Sequence, residues 1–230
     1  MKTAILVDGG YYRKVALKAF GFKNPKETAD ELYTYCFEHL SEKHTHGIKH
    51  KHELYRIFYY DCPPLESNIY NLITQKQEFL GKTEHGKWMK EFLYQLTKKR
   101  KLALRLGELL PAETNYMLQP NVLNKLINKE LSIEDLTQDS VFLSTRQKGV
   151  DMKIGVDIAS LALKKQVDQI VLIAGDSDFV PAAKLARREG IDFILDPLAR
   201  KVKENLFEHI DGLRSCDNRL YDNRKNSLTK

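Results

Sequence analysis

The sequence predicts an α/β fold in which helices cover both faces of a mostly parallel sheet. Two short apolar runs, at 3–7 and 170–174, are typical of strands that are buried on both faces. Each run ends in a turn that contains glycine and aspartate, and a helical pattern follows each turn. Strands that alternate with helices in this way favour a parallel sheet.

The first half of the chain repeats this alternation. Apolar positions at the helical period indicate helices, whereas aromatic and β-favouring residues indicate strands. In order, the predicted elements are a strand at 3–7, helices at 11–20 and 26–40, a strand at 53–61, a helical region at 69–101 and a strand at 102–110.

The second half begins with a poorly patterned segment and then returns to the alternation. Its predicted elements are a helix at 122–129, a short strand at 141–143, a helix at 152–165, a strand at 170–174, a helix from 180 to Gly190, a strand at 191–195 and a helix at 202–210. These boundaries predict a single domain over 1–212, with a largely helical insertion around 66–139. A polar C-terminal tail is expected at 213–230.

The composition is typical of a soluble protein with an anionic partner. The 230 residues carry a net charge of +6, which favours binding to an anion, although a basic surface is often only a soluble one. No segment reaches transmembrane length, and the apolar run at 4–7 is too short for a signal peptide, so we predict no membrane association. Three cysteines without a CxxC pair indicate free thiols in a reducing cytoplasm; they are Cys36, Cys62 and Cys216.

Carboxylates follow the predicted buried strands. Asp8 ends the first strand, Asp176 and Asp178 follow the strand at 170–174, and Asp151 begins a helix. Because the carboxyl ends of parallel strands meet at one edge of a sheet, these side chains are expected to converge. Crowded carboxylates repel one another, and a hard cation such as Mg²⁺ or Mn²⁺ removes that repulsion. The pattern therefore predicts a divalent-metal site suited to phosphate-ester chemistry.

Helix capping is the alternative explanation for part of this set. Aspartate is a common N-cap, so Asp151 and Asp178 could cap the helices that follow them. Asp157 lies about 9 Å beyond Asp151 along the helix axis, at about 1.5 Å per residue. It could support a second metal ion, or it could pair with Lys153 four residues earlier.

Three sequence blocks resemble the NYN domain family, whose members are related to PIN-domain nucleases. The blocks are Val7–Gly10, Lys148–Ile158 and Ala174–Pro181, and Tyr59–Pro64 resembles the second strand of that family. The resemblance implies a Rossmann-like, PIN-like three-layer α/β/α sandwich and metal-dependent cleavage of RNA. By motif position it assigns the acidic ligands to Asp8, Asp151, Asp176 and Asp178, with Asp157 at a further acidic position. The family often has asparagine shortly after the first aspartate, whereas this chain has Gly10, Tyr11 and Tyr12.

Basic and aromatic residues near the aspartates are candidate substrate contacts. Arg146 and Lys148 shortly precede Asp151, so we predict that they hold the RNA backbone at the rim of the site. Tyr11 and Arg13 follow Asp8 and could stack on a base or bind a phosphate. Packing within the helix is an equally good explanation for the tyrosine.

The predicted function is a Mg²⁺- or Mn²⁺-dependent endoribonuclease that acts on RNA. A phosphatase of the haloacid-dehalogenase type is disfavoured, because that chemistry requires a second aspartate two residues after the first, where Gly10 stands. An RNA-binding or regulatory module of the same fold, with weak or no catalysis, is the remaining alternative. The sequence leaves open whether the protein forms a homodimer.

Overall fold

A computed structural model describes residues 1–43 and 49–221. In chain order its strands and α-helices are β1 (Lys2–Asp8), α1 (Gly9–Phe20), α2 (Pro25–Glu38), β2 (Ser41–Lys43), β3 (Lys49–Lys51), β4 (Glu53–Asp61), β5 (Asn68–Asn71), β6 (Lys76–Phe79), α3 (Glu84–Thr97), β7 (Leu102–Leu106), β8 (Glu108–Leu109), β9 (Asn115–Leu118), α4 (Pro120–Ile127), β10 (Val141–Ser144), β11 (Gln147–Lys148), α5 (Val150–Leu163), β12 (Gln169–Ile173), α6 (Val180–Arg188), β13 (Asp192–Asp196), α7 (Glu204–Phe207) and β14 (Gly212–Leu213).

The described residues form two compact units. The first, the sheet unit, comprises Met1–Asp61, Glu91–Gly107 and the chain from Gly149 onward. The second, the hairpin unit, comprises Cys62–Lys90 and Glu108–Lys148.

A six-stranded parallel sheet, in the order β14-β13-β12-β1-β4-β7, is the centre of the sheet unit. In β12, and from Thr3 to Val7 of β1, every residue is buried, because helices cover both faces of the sheet. The predicted α/β class is therefore confirmed, and the continuous apolar runs that indicated it are the two central strands. Helix α2 begins as its sequence indicates, since Asn24 and Glu27 form a capping box and Pro25 occupies the first turn.

The strand order reverses between β1 and β12. From β1 the chain adds β4 and β7 on one side, and it later adds β12, β13 and β14 on the other. Ligands of open α/β sheets bind at such a reversal, beyond the carboxyl ends of the strands. Val7 pairs with Ile173 in register, so Asp8 and the Gly175–Asp178 turn emerge at the same edge.

The helical character predicted for the insertion at 66–139 is wrong over much of its length. The helical region predicted from residue 69 begins only at Glu84, and residues 91–107 belong to the sheet unit. Within the hairpin unit, β5 pairs with β6, β9 with β10, and β8 with β11, each pair antiparallel. Strands of four residues are too short to show a period of two, and β6 is rich in good helix formers, which accounts for the error.

The predicted C-terminal tail is ordered further than expected. Residues 212–213 form β14 beside β13, and Leu220 is buried. The Arg214 guanidinium donates to the carbonyl of His39 at 2.6 Å, which ties the segment to the end of α2. Residues 222–230 of the predicted tail lie outside the described part of the chain. Among the residues described, no helix combines the length and the apolarity needed to cross a bilayer.

Candidate active site

Asp8 stands at the end of β1 and caps helix α1. Its Oδ1 accepts a hydrogen bond from the backbone N–H of Tyr11 at 3.0 Å. The turn is tight, because a Cβ on Gly9 would lie 2.4 Å from the ring of Tyr59, so only glycine fits there. Burial is the main cause that raises the pKa of Asp8 to about 6, and the negative charges of Asp151 and Asp61 act in the same direction.

Asp176 and Asp178 occupy the turn that follows β12. Asp176 caps a short 3-10 turn over Ser177–Phe179, because its Oδ1 accepts from the backbone N–H of Asp178 at 3.1 Å. Asp178 caps nothing itself, since helix α6 begins after Phe179 without a side-chain cap. Both aspartate side chains are exposed to solvent.

Asp151 lies in the first turn of α5. The N-cap of that helix is Gly149, which adopts a left-handed φ of 82° and makes no side-chain cap. Partial desolvation raises the pKa of Asp151, and the charges of Asp176 and Asp178 raise it further. Asp151 is therefore within electrostatic reach of the turn after β12 as well as of Asp8.

The capping explanation thus applies to different residues from those expected. Asp8 and Asp176, which the sequence favoured as ligands, are caps, whereas Asp151 and Asp178 are not. A capping carboxylate uses one oxygen, so capping and metal binding are compatible at the same residue.

The carboxylates at this edge have the donor chemistry of a hard-cation site, but they are spread out. In the described ranges 1–43 and 49–221, no three His, Cys, Asp or Glu side chains are grouped closely enough to hold an ion. Mg²⁺ commonly keeps several waters and uses one or two carboxylates together with substrate phosphates. The set of oxygen donors fits such a loosely held ion, and so do the burial and the neighbouring negative charges that raise the pKa of Asp8 and Asp151.

Asp157 is engaged by neighbours within the sheet unit. The hydroxyl of Tyr60 donates to its Oδ2 at 2.8 Å, and Nε of Arg105 donates to the same atom at 3.0 Å. The expected pairing with Lys153 is not found, because the Lys153 ammonium donates instead to the carbonyl of Leu106. Asp157 therefore carries two structural contacts on the side of α5 that faces β4 and β7.

Arg13 forms an ion pair with a buried carboxylate, so its guanidinium is already engaged within the fold. Its Nε and Nη2 donate to the two oxygens of Asp61 at 2.9 and 3.0 Å, and the hydroxyl of Tyr59 donates to Asp61 at 2.8 Å. Asp61 is fully buried at the end of β4. The bidentate pair fixes α1 against β4 and places a negative charge close to Asp8.

Tyr11 packs on the strand ends. Its ring lies against Gly175, where a Cβ would be 2.3 Å from Cε2, and its hydroxyl donates to the carbonyl of Pro197 at 2.6 Å. Tyr11 thereby joins the ends of β1, β12 and β13. This packing was the alternative left open for the residue, and it gives Tyr11 a positioning role at the site.

Arg146 and Lys148, the predicted rim residues, belong to the hairpin unit. The Arg146 guanidinium is largely exposed and donates to Glu113 at 2.7 Å. Lys148 is exposed on β11, opposite Glu108 of β8. Exposed ion pairs of this kind contribute roughly 0–1 kcal/mol, so the pairing leaves Arg146 able to exchange its partner.

Sequence reasoning missed two buried carboxylates at the same edge of the sheet. Asp61 ends β4 and Asp196 ends β13, and both side chains are fully buried. The rule that selected Asp8, an aspartate at the end of a strand, would have found both residues.

A family model identifies the region that contains most of these aspartates. Residues 109–207 match the model of the NYN domain. The match assigns this stretch to the model of the NYN domain, which belongs to the PIN-like superfamily. The matched range includes Asp151, Asp157, Asp176 and Asp178, whereas Asp8 precedes it. NYN domains are PIN-like and have a nuclease-type fold, and nucleases of this class generally depend on divalent metals.

Solved structures are similar to this chain only at low sequence identity. A protein of unknown function from Vibrio parahaemolyticus is 14% identical, with 95% of this chain and 94% of that chain covered and a TM-score of 0.48. A Sir2 structure with a p53 peptide and NAD+ is 11% identical, with 99% and 92% covered and a TM-score of 0.36. A Sir2Tm structure with a propionylated peptide is 11% identical, with the same coverage and a TM-score of 0.34. No curated protein matches the sequence, and none of these matches supports a homodimer.

Proposed function

We propose that the protein is a divalent-metal-dependent endoribonuclease that hydrolyses phosphodiester bonds of RNA. One observation supports the proposal: Asp8, Asp151, Asp176 and Asp178 lie at the sheet edge where the strand order reverses. In addition to burial, the charge of Asp151 raises the pKa of Asp8, and the charges of Asp176 and Asp178 raise the pKa of Asp151. Carboxylates held together against their repulsion are the donor set that a hard cation stabilises. The NYN domain match supports the nuclease class.

Asp8, Asp151, Asp176 and Asp178 are the residues that would hold Mg²⁺ or Mn²⁺. A bound divalent ion supplies charge neutralisation at a phosphate and at a leaving oxygen. Asp157 is a less favoured ligand, because Tyr60 and Arg105 already occupy its Oδ2.

Asp8 is the ligand that gains most from a bound cation. Burial raises its pKa to about 6 in the ion-free protein, and a cation beside it would favour the ionised carboxylate. The N-cap hydrogen bond to Tyr11 fixes the orientation of this carboxylate. Arg146 and Lys148 are proposed to contact the RNA backbone, whereas Tyr11 and Arg13 are proposed to position Asp8.

The decisive experiment incubates purified protein with a labelled RNA pool in Mg²⁺, Mn²⁺ or EDTA. We expect cleavage that EDTA stops and that the variants Asp8→Asn and Asp176→Asn both lack. Asp30→Asn is the matched control, because Asp30 pairs with Lys99 away from the strand ends and its loss should leave cleavage unchanged. Cleavage by Asp8→Asn at the parental rate would refute the proposed site.

An RNA-binding or regulatory module is the second candidate. Two observations favour it: Gly10 and Tyr11 stand where the NYN family often has asparagine, and the described residues contain no group of three close metal ligands. This candidate predicts RNA binding that EDTA does not affect and no cleavage in either metal. Among the described residues, Cys36, Cys62 and Cys216 form no disulfide, which supports a reducing cytoplasmic location for either function.

A further inference from the structure

Lys203 is a cation that tertiary structure brings to the acidic edge. It precedes α7, and its ammonium donates to the hydroxyl of Ser177 at 3.2 Å. Ser177 lies between Asp176 and Asp178 in the turn that follows β12. Lys203 is 26 residues from this turn in the chain, so only the fold places it beside the proposed ligands.

Arg200 reaches the same edge from a strained turn after β13. Leu198 and Ala199 both adopt left-handed φ values, 49° and 57°, which are costly for residues with a side chain. The N–H of Arg200 closes the turn on the carbonyl of Pro197 at 2.9 Å. That carbonyl also accepts from the hydroxyl of Tyr11, whose backbone N–H is held by Asp8.

The buried carboxylate of Asp196 holds this turn in its strained form. Its Oδ1 accepts from the backbone N–H of Leu198 at 2.7 Å and from the hydroxyl of Ser215 at 2.5 Å. The Ser215 hydroxyl accepts in turn from the N–H of Ala199 at 2.8 Å. Oδ2 of Asp196 contacts the hydroxyl of Tyr35 and Nε2 of His39. A network this well connected fixes where the residues after the turn emerge.

Neither Arg200 nor Lys203 has a carboxylate partner within ion-pair distance among the described residues, although Lys203 contacts the turn that carries Asp176 and Asp178. Lys203 is exposed and Arg200 is partly exposed. A polyanion approaching four aspartates is repelled, so a substrate phosphate needs cations at their border.

We infer that Arg200 and Lys203 form a phosphate-binding rim for the RNA backbone beside the bond that is cleaved. The inference rests on the proposed function for the choice of RNA as the ligand. Contacts of this kind fix the register of a nucleic acid without reading its sequence. The rim therefore positions the substrate, and it binds RNA whether or not an ion is present.

The test measures binding of a labelled single-stranded RNA in EDTA at several salt concentrations. The double variant Arg200→Gln/Lys203→Gln is compared with Lys164→Gln/Lys165→Gln, which removes the same two charges. The control lysines are exposed at the end of α5, about 21 Å from its beginning at about 1.5 Å per residue, near the start of β1. Because both variants lose two positive charges, a difference in their RNA affinity reports local contact rather than long-range attraction.

We expect the rim variant to bind RNA about tenfold more weakly than the parent at about 0.15 M salt. Each phosphate contact on a single strand contributes roughly 0.7 to the slope of log affinity against log salt, and the variant removes two contacts. The slope of log affinity against log salt should fall by about 1.4 in the rim variant. The control pair should keep the parental slope, and the thermal unfolding of both variants should match the parent.

Three results would overturn the inference: parental binding by the rim variant, equal losses in the rim and control variants, or no RNA binding by the parent. The nuclease proposal is judged separately by cleavage. If the parent binds RNA through the rim but never cleaves it, the rim stands and the nuclease fails. If the parent cleaves RNA and the rim variant binds as well as the parent, only the rim fails.

Discussion

Replacement of Asp8 by asparagine should stabilise the metal-free protein near neutral pH. The ionised carboxylate is half-buried and lies near the charges of Asp151 and Asp61, which is why its pKa is raised. Asparagine carries no charge, and its Oδ1 can still accept the N-cap hydrogen bond from Tyr11. The variant therefore removes the electrostatic cost and keeps the cap.

The size of the effect follows from the pKa. A change from 3.8 in the unfolded chain to about 6 in the folded chain corresponds to about 3 kcal/mol, at about 1.4 kcal/mol per pH unit. Between these values the folded state binds more protons than the unfolded state, so the parent loses stability as the pH rises. Well below pH 3.8 Asp8 is protonated in both states, and the cost disappears. Partial exposure of Asp8 makes about 3 kcal/mol an upper limit.

Urea unfolding in EDTA, at pH 7.5 and at pH 4, measures this difference. We expect Asp8→Asn to exceed the parent in free energy of unfolding by up to about 3 kcal/mol at pH 7.5 and by only about 0.5 kcal/mol at pH 4. A variant less stable than the parent at pH 7.5, or an advantage that does not change with pH, would refute the reasoning. Loss of cleavage with a gain in stability would identify Asp8 as a residue retained for function at the expense of stability.

Three further predictions concern the same edge. Asp61→Asn should lower the free energy of unfolding by about 3–5 kcal/mol, because it leaves Arg13 without its buried partner. Asp30→Asn, in a partly exposed pair, should lower it by only about 1 kcal/mol. Gly175→Ala should lower the free energy of unfolding by about 1–3 kcal/mol and slow cleavage, because the new Cβ displaces the ring of Tyr11. In the same denaturation assay Gly155→Ala in α5 should be neutral or stabilising, because a Cβ there meets nothing within 4 Å. Mn²⁺ at about 100 times its dissociation constant should raise the unfolding free energy of the parent by about 2.7 kcal/mol, as measured against EDTA, and should raise that of Asp8→Asn by less.

Long-range partners explain most of what the sequence did not predict at the site. Arg13 and Asp61 are 48 residues apart, and no periodic pattern relates them. The turn at Pro197–Arg200 carries no glycine to mark its left-handed residues, so nothing local indicated that it exists. The caps at Asp8 and Asp176 were misassigned because a helix start is uncertain by a residue or two in sequence, and the cap depends on that boundary.

The strands of the hairpin unit were also not predictable from local sequence patterns. Its paired strands are two to four residues long, and each is stabilised by its partner strand rather than by its own pattern. Helix α4 was predicted, since its apolar residues recur at the helical period and Pro120 begins it.

The pattern of residues was enough to predict the parallel sheet and the aspartates at its edge. A strand buried on both faces is largely apolar, and Asp8 and Asp176 follow where the two apolar runs end, so both features are visible locally. Tertiary structure alone decided which aspartates are caps, which carboxylates are buried with partners, and that Arg200 and Lys203 stand beside the acidic turn. Those features depend on contacts between residues distant in the chain, because a side chain's partner is set by where the backbone brings it.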